Sequence, residues 1–140
     1  MKLIILVLLI IIIYIIIHMK YKKTKNKIKT HRIVGKIAKT PDEIQKGLMY
    51  RKLKLKENEG MLFSMNYGIN TMWMKNTYIP LDIIFLNTRM KVVGYIENAE
   101  PLSLKTLSIN RPSKYVLEMN SGSVKLHNIK KTHKINFVET

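Results

Sequence analysis

The first apolar segment of the chain is uninterrupted. Residues 3–17 read LIILVLLIIIIYIII and contain no charged residue, glycine or proline. As a helix this segment would be about 22 Å long at roughly 1.5 Å per residue, which is short for a bilayer, but Lys2 and Lys20 can extend their charged ends toward the lipid headgroups. The pattern therefore predicts a transmembrane or signal-anchor helix over residues 1–19.

A cleaved signal peptide is the alternative for this segment, because an apolar run of this length also fits the hydrophobic region of a signal peptide. Residues 18–32, HMKYKKTKNKIKTHR, contain no small-x-small pattern that would mark a cleavage site. An uncleaved anchor is therefore favoured. A buried core helix is disfavoured, since a helix that is apolar on every face would need to be enclosed on all sides by a domain of only about 110 residues.

Alternation of apolar and polar positions begins near His31 and predicts a mainly β, α+β domain over residues 31–140. Residues 81–87 are apolar on both sides of the pleat except at Asp82, so this strand should be covered on both faces, as in a compact barrel-like fold. Residues 81–96 read as a β-hairpin. Six or seven short strands are expected, with candidates at 32–38, 60–65, 71–76, 81–87, 90–96, 114–119 and 133–138.

One or two short helices are expected beside these strands. Thr40 as N-cap, Pro41 as the first helical residue and Glu43 as the partner in a capping box predict a helix over residues 41–50. A second signal, NSGSVKLHN at 120–128, predicts a turn and one or two helical turns.

Two smaller features complete this pattern. Ser121 or Ser123 is the expected cap of the second helix. Residues 67–70 contain a glycine and are expected to form a turn after the strand at 60–65.

Positive charge is concentrated at the start of the chain. Lys and Arg number 25 against 9 Asp and Glu, and seven of these cations precede His31 without any acid. Residues 20–30 are therefore predicted to form a basic tether, which anionic lipid would attract by about 1 kcal/mol per Lys. No zinc finger, recognition helix or aromatic stacking motif accompanies the charge, so no specific nucleic-acid partner is expected. The positive-inside rule favours a cytoplasmic domain.

The segment MWMKNTYIPLDIIF carries polar residues among large apolar ones. In an extended chain Trp73 and Lys75 point to one side and Asn76 to the other. Asp82 is the lone acid of its strand, and a buried carboxylate must be paired or hydrogen-bonded. Lys75 and Asn76 are its nearest partners in sequence. A structural role, in which Asp82 accepts backbone N–H bonds in the turn at 76–80, is the alternative.

Further carboxylates are candidates for acid and base chemistry. Glu97 and Glu100 lie in one turn with Asn98, and Glu118 lies on a predicted strand. Two carboxyl groups could act as acid and base if burial raised the pKa of one of them. The sequence by itself does not bring any two of them to a given separation.

Histidines and cysteines give no sign of a metal or cofactor. The sequence has no Cys, which excludes disulfides, thiolate catalysis and cysteine-ligated metals. His18, His31, His127 and His133 lack metal-ligand spacing and are predicted to be surface residues. No metal site and no cofactor are expected.

Six blocks of the sequence together resemble one family. They are GLMYR at 47–51, EGMLF at 59–63, MWMKNT at 72–77, IPLDIIF at 79–85, NAEP at 98–101 and YVLEMNSG at 115–122. In this order the chain resembles, over residues 33–138, the uncharacterised family catalogued as domain of unknown function 192. The resemblance implies a compact, mostly β domain without an established activity. The site that it implies comprises Arg51, Trp73, Lys75, Asn76, Asp82, Asn98, Glu100 and Glu118.

The resemblance also bears on location and on two local features. Many bacterial members carry an N-terminal signal or lipid anchor, which implies an exported domain, whereas the charge pattern favours the cytoplasm, and both sides stay open. Residues 102–113 lack the cysteines that many members have there. The last turn, usually Gly-Asp, is Thr132-His133, which puts a turn with positive φ in question.

These observations predict a single-pass, membrane-tethered β-rich domain whose strand-end polar cluster binds a small polar ligand or a partner. An aromatic platform at Trp73 beside charged groups suits a polar organic ligand. One alternative is a hydrolase that uses Asp82, Glu100 or Glu118 as acid or base. Another is a non-catalytic structural module that binds anionic membranes through its basic surface.

Overall fold

A computed structural model describes residues 1–25 and 28–140 of the chain. The N-terminal helix, α1, comprises Lys2–Lys25. Within it, Lys2–Tyr21 form a 20-residue segment with a mean hydropathy of 3.0 and none of it buried, so α1 is not a core helix. It is long and apolar enough to cross a membrane, and an N-terminal signal sequence has the same features. Residues 26 and 27 of the predicted tether lie outside the described residues.

The domain after α1 is a mixed β-sheet with two further short helices, which confirms the predicted fold class. Its six strands are β1 (Thr30–Ala38), β2 (Glu59–Ile69), β3 (Leu81–Leu86), β4 (Val92–Ala99), β5 (Pro112–Asn120) and β6 (Lys134–Glu139). The helices are α2 (Pro41–Lys46) and α3 (Ser123–Leu126).

The six strands form one sheet in the order β4-β3-β5-β2-β1-β6. β1 runs parallel to β2 and to β6, whereas the other pairs are antiparallel. The sheet curls into a half-barrel, so the starts of its two outer strands meet. There the Val92 N–H donates to the His133 carbonyl and the Thr132 N–H donates to the Val92 carbonyl, each over 2.9 Å. Turns at the outer strands are therefore neighbours in space.

β3 lies at the centre of the core. All six of its residues are buried, including Asp82, as expected for a strand covered on both faces. Ile83 and Phe85 pack into one cluster with Phe63, while Ile84 and Leu86 pack into a second cluster on the other face. Because both faces are covered, any polar side chain on this strand must find its partner inside the domain.

The start of α2 is as predicted, but its end is not. The Thr40 side chain accepts from the Glu43 N–H and the Glu43 carboxylate accepts from the Thr40 N–H, so the predicted capping box is present. The helix ends at Lys46 rather than at residue 50, because Gly47 adopts φ 45° and ψ −128°, a conformation that a helix cannot continue through.

Two other local predictions were wrong. β2 continues to Ile69 through an irregularity between Ser64 and Gly68, where a turn at 67–70 was expected. Residues 71–76 are not a strand: Met72 forms a single bridge to Leu107, and the chain turns at Asn76, whose φ is 54°.

The turn before β6 and the N-cap of α3 also differ from what the sequence predicted. Thr132 adopts φ 74°, so this turn takes positive φ without a glycine. Gly122 is the N-cap of α3, and neither Ser121 nor Ser123 supplies a side-chain cap. The acceptor comes instead from a residue on β3, which is Asp82.

Candidate functional site

Asp82 is a structural residue in this fold. Its side chain is fully buried; Oδ1 accepts from the Asn98 N–H over 2.9 Å and Oδ2 from the Val124 N–H over 2.8 Å. The partners are therefore backbone groups at the end of β4 and the start of α3. They are not Lys75 or Asn76, nor the 76–80 turn, which corrects the pairing expected from sequence proximity.

Asp82 and Glu118 project from opposite faces of the sheet. The register pairs Asp82 with Met119 and Ile83 with Glu118. Directly opposed residues share a face, and successive residues alternate. Asp82 therefore lies on the side of α3, whereas Glu118 lies on the side of Ile83 and α2. These two carboxyl groups do not form an acid–base pair.

Glu118 lies at the floor of a small cavity between the end of α2 and the segment after β2. The cavity has a volume of about 20 Å³, which is enough for one group the size of a water molecule. We call it the Glu118 cavity. Its lining includes Gly47, Leu48, Phe63, Met72, Trp73 and Glu118.

The carboxyl group of Glu118 has an unusual environment. Only 4% of the residue is exposed, and none of the fully buried side-chain polar atoms in residues 1–25 and 28–140 is left without a partner. Burial raises the pKa of this carboxyl to about 8. Burial therefore favours the protonated, neutral form, whose O–H can donate a hydrogen bond.

Gly47 keeps the space above Glu118 open. A Cβ at this position would lie 3.0 Å from Cζ of Phe63 and 3.9 Å from Oε2 of Glu118. The backbone conformation that ends α2 is also one that residues with a side chain rarely adopt. One glycine thus ends the helix and leaves the cavity unfilled.

Trp73 and the neighbouring Lys75 lie at one side of this cavity, and we call these two residues its rim. Trp73 lines the cavity and is 43% exposed, and Nζ of Lys75 lies 5.1 Å from the centre of the Trp73 ring. Nδ2 of Asn76 donates to the Tyr50 hydroxyl over 2.9 Å, and the rings of Tyr50 and Tyr78 meet edge to face at 6.4 Å. The predicted side-by-side placement of Trp73 and Lys75 is confirmed.

Arg51 lines a separate cleft on the other side of the Gly47–Met49 segment. This cleft has a volume of about 430 Å³, and its charged lining residues are Lys36, Glu43, Lys46, Arg51 and Glu59. Nε of Arg51 donates to the Leu53 carbonyl over 2.8 Å. Residues of the Gly47–Met49 segment line both the cleft and the Glu118 cavity. A ligand bound in the cleft would therefore contact residues that also line the Glu118 cavity.

The remaining predicted site residues lie elsewhere. Oδ1 of Asn98 accepts from the Ser121 hydroxyl over 2.9 Å, so Asn98 belongs to the structural cluster around Asp82. Glu100 is exposed in the loop after β4 and lines none of the four cavities described for this domain. The fold thus brings Trp73 and Glu118 to one cavity, with Lys75 against the Trp73 ring, whereas Asn76 bonds to Tyr50 and the other predicted residues lie elsewhere.

Residue patterns did not reveal several members of the site. Gly47 and Tyr50 lie in the GLMYR block, which carries the family resemblance but gives no chemical signal by itself. The surface prediction was also wrong for His31, which is buried. Its Nε2 lies 2.9 Å from Nδ1 of His133, and the two rings stack at 5.1 Å. Their separation of 102 residues hides this pair from any spacing rule.

Comparison with known proteins gives a family and a fold. The model of the family DUF192, described as Uncharacterized ACR, matches residues 22–137. A crystal structure of a proposed transcription regulator from Sinorhizobium meliloti 1021 is 36% identical, covers 71% of this chain and 78% of that chain, and has a TM-score of 0.69. A protein of unknown function from Novosphingobium aromaticivorans DSM 12444 is 40% identical over 71% of each chain, with a TM-score of 0.68. No curated protein matches the chain.

Proposed function

The chain belongs to the DUF192 family, and we propose that its β-rich domain binds a small, oxygen-rich polar ligand at the Glu118 cavity while α1 holds the domain at a membrane. One observation carries the binding proposal: a buried, protonated carboxyl faces a space that fits a single oxygen atom. None of the fully buried side-chain polar atoms in residues 1–25 and 28–140 lacks a partner, so the Glu118 carboxyl is not an orphaned group. Its lining of the cavity lets a ligand oxygen accept a hydrogen bond from the protonated form.

The rim supports the same class of ligand. A hydroxyl or carboxylate oxygen would enter the cavity, and the body of the ligand would lie on the exposed face of Trp73. Lys75 adds a positive charge over that ring. A protonated carboxyl and an ammonium group both donate hydrogen bonds, so the site favours an acceptor-rich sugar or small carboxylate over a cationic amine.

The test is a thermal-shift panel on the full chain in detergent, using neutral sugars, small carboxylates and primary amines at millimolar concentration. We expect an acceptor-rich compound to stabilise the protein. Glu118→Gln should retain binding because the amide imitates the protonated acid, whereas Glu118→Leu should lose it. Binding should weaken above pH 8 in the wild type, as Glu118 ionises, but not in Glu118→Gln.

Two control comparisons make this test decisive. Trp73→Ala should weaken binding, whereas Tyr67→Ala, which removes another exposed aromatic residue outside the cavity lining, should not. If amines bind and Glu118→Gln abolishes their binding, the ligand is a cation and the proposed class is wrong. If no compound in the panel responds to substitution of Glu118 or Trp73, the proposal fails.

A hydrolase mechanism has less support. It requires two carboxyl groups in one cleft, but Asp82 and Glu118 face opposite sides of the sheet, and Glu100 lines neither cavity beside α2. A DNA-binding role, which the description of the Sinorhizobium protein raises for that protein, also has little support here. Among residues 28–140 the helices have only six and four residues, too short to lie along a major groove as a recognition helix does.

A membrane anchor at α1 is the second part of the proposal, and it rests on the length and composition of Lys2–Tyr21. The experiment is intact-mass analysis of the protein extracted from membranes, followed by protease protection in sealed vesicles. Retention of residues 1–19 and resistance to alkaline extraction would support an uncleaved anchor. A mature chain that begins after α1 would show that this segment is a signal peptide.

A further inference from the structure

Positively charged residues from three separate turns meet in one groove of the half-barrel. The groove has a volume of about 430 Å³. Lys91 comes from the β3–β4 hairpin, Arg111 from the residue before β5, and Lys131 from the turn before β6. No acidic residue lines the groove. We call it the basic groove.

The curl of the sheet creates this groove. Lys91 and Lys134 form an antiparallel bridge, and the Thr132 N–H donates to the Val92 carbonyl over 2.9 Å. These bonds join the hairpin at one edge of the sheet to the turn at its other edge. The backbone positions of Lys91 and Lys131 are therefore fixed by the fold and do not depend on attraction between the side chains, which repel each other.

The charges in the groove are not neutralised by the domain. In the part of the chain that the structure describes, the one ion pair joins Lys39 to Glu139. None of the nine acidic residues lies within 87–93, 111–114 or 130–134, the segments around the groove. An external anion would therefore meet Lys91, Arg111 and Lys131 without competition from a carboxylate.

The groove lies close to the point where the chain enters β1. The Lys134 N–H donates to the Lys29 carbonyl over 2.9 Å, and Lys134 also bridges to Lys91 beside the groove. Eight residues, 22–29, connect the candidate span to β1, and eight residues reach at most about 28 Å when fully extended. An inserted α1 would thus hold the groove near the lipid headgroups.

We propose that the basic groove binds the phosphate groups of anionic phospholipids in the membrane that contains α1, so that the domain docks on the bilayer in a fixed orientation. The proposal rests on the membrane anchor proposed above. Lys and Arg bind phosphate by charge-assisted hydrogen bonds, Arg with a geometry that matches two oxygens. Tethering raises the effective concentration of headgroups to about the millimolar range, so an intrinsically weak site is occupied.

The experiment uses the full chain in nanodiscs of phosphatidylcholine, with or without 30% phosphatidylglycerol. Because the sequence has no cysteine, Thr88→Cys beside the groove can carry a fluorescent donor, with an acceptor on the headgroups. Leu53→Cys, exposed in the loop before β2, is the control site. We expect higher energy transfer from residue 88 with the anionic lipid and no comparable change from residue 53.

Two triple variants with the same charge change separate the groove from general basicity. Lys91→Gln/Arg111→Gln/Lys131→Gln should lower the docking equilibrium constant about tenfold or more, given the strength of Lys–lipid attraction. Lys52→Gln/Lys54→Gln/Lys56→Gln, in the loop before β2, should lower it much less. Equal losses in the two variants would overturn the assignment to the groove, as would docking that does not depend on phosphatidylglycerol.

The remaining outcomes are also decisive. Binding of inorganic phosphate or glycerol phosphate in detergent, without docking on phosphatidylglycerol nanodiscs, would overturn the lipid assignment. If the chain does not enter nanodiscs, the anchor proposal fails, and sedimentation with added phosphatidylglycerol vesicles then tests the groove alone. Sedimentation that is reduced by the groove variant but not by its matched control supports lipid binding; equal sedimentation of all three proteins contradicts it.

Discussion

The Val124 backbone N–H donates to Oδ2 of Asp82 over 2.8 Å, across 42 residues of sequence. Through this bond an interior strand of the sheet, β3, supplies the side-chain cap that α3 lacks. The other oxygen of the same carboxyl accepts from Asn98 on β4. One buried side chain therefore joins three elements that are distant along the chain.

Replacing Asp82 by Asn should destabilise the domain. An amide offers one acceptor oxygen, so the N–H of Asn98 or of Val124 would face an NH₂ group and lose its bond, at a cost of about 1–3 kcal/mol. Chemical denaturation monitored by Trp73 fluorescence measures the effect. Glu100→Gln, at an exposed position, is the control and should stay within about 0.5 kcal/mol of wild type. Equal stabilities for the two variants would contradict a structural role for Asp82.

Glu118 should make the domain less stable as the pH rises. Burial raises its pKa from the ordinary value near 4.5 to about 8, so the folded state binds more protons than the unfolded state between these values. The free energy of unfolding then falls progressively between about pH 4.5 and pH 8 and stays constant above pH 8. At 1.36 kcal/mol per pH unit, the total loss is up to about 5 kcal/mol. The difference in unfolding free energy between wild type and Glu118→Gln, measured at pH 5 and pH 8, isolates this effect. A difference that is the same at both pH values would show that the carboxyl is not held protonated.

Gly47→Ala should be more destabilising than Gly122→Ala. Both glycines have positive φ, 45° and 89°, but a Cβ at Gly47 would press on the Phe63 ring, while nothing lies within 4 Å of a Cβ at Gly122. Strain at such positions costs of order 1–3 kcal/mol, and overpacking adds to it at Gly47 alone. Urea unfolding of the two variants measures the difference. Matching losses would mean that the space above Glu118 can adapt to a methyl group.

The pair of His31 and His133 should destabilise the domain as the pH falls. Burial lowers the pKa of both rings, and the neighbouring charges of Lys29 and Lys130 lower that of His133 further. As the pH falls below about 6.5, the histidines of the unfolded state become protonated before those of the folded state. The contribution of this pair to the unfolding free energy is complete above pH 6.5 and is lost as the pH falls through the lowered pKa values of the folded state.

The histidine effect has the opposite sign to that of Glu118, so it should be measured in a Glu118→Gln background. There, unfolding free energies at pH 7.5 and pH 5.5 should differ, and His31→Gln/His133→Gln should reduce the difference. His18→Gln, in α1 and outside the sheet, serves as the control. If the double substitution leaves the pH dependence unchanged, the pair is not its source.

Local patterns predicted the elements whose causes are local. Alternating positions, and in β3 a nearly continuous apolar run, indicated all six strands. Thr40 with Glu43 indicated the start of α2, because a capping box involves residues only three apart. The end of α2 was missed because Gly47 was not recognised as the residue at which the helix stops. The segment at 71–76 was predicted as a strand from its composition, but its turn depends on positive φ at Asn76.

The candidate site was only partly predictable. Trp73 and Lys75 lie two residues apart, so their shared side follows from the backbone. The placement of Glu118 near Trp73 does not follow from the local backbone, because it depends on which face of β5 points toward α2. A shift of β5 by one residue relative to β3 would place Glu118 opposite Asp82, on the same face of the sheet, and would remove it from the cavity beside α2.

The sequence alone determined that this chain has an apolar N-terminal helix, a lysine-rich segment after it and a β-rich domain with Asp82 inside a covered strand. The tertiary structure decided what each side chain contacts. Asp82 accepts from backbone N–H groups, and Glu118 lines a water-sized cavity. His31 and His133 contact each other, and Lys91, Arg111 and Lys131 line one groove. The physical reason is the range of the interactions. Hydrophobic alternation and capping act between near neighbours in the chain, whereas register and curl bring together residues whose separation in sequence carries no signal.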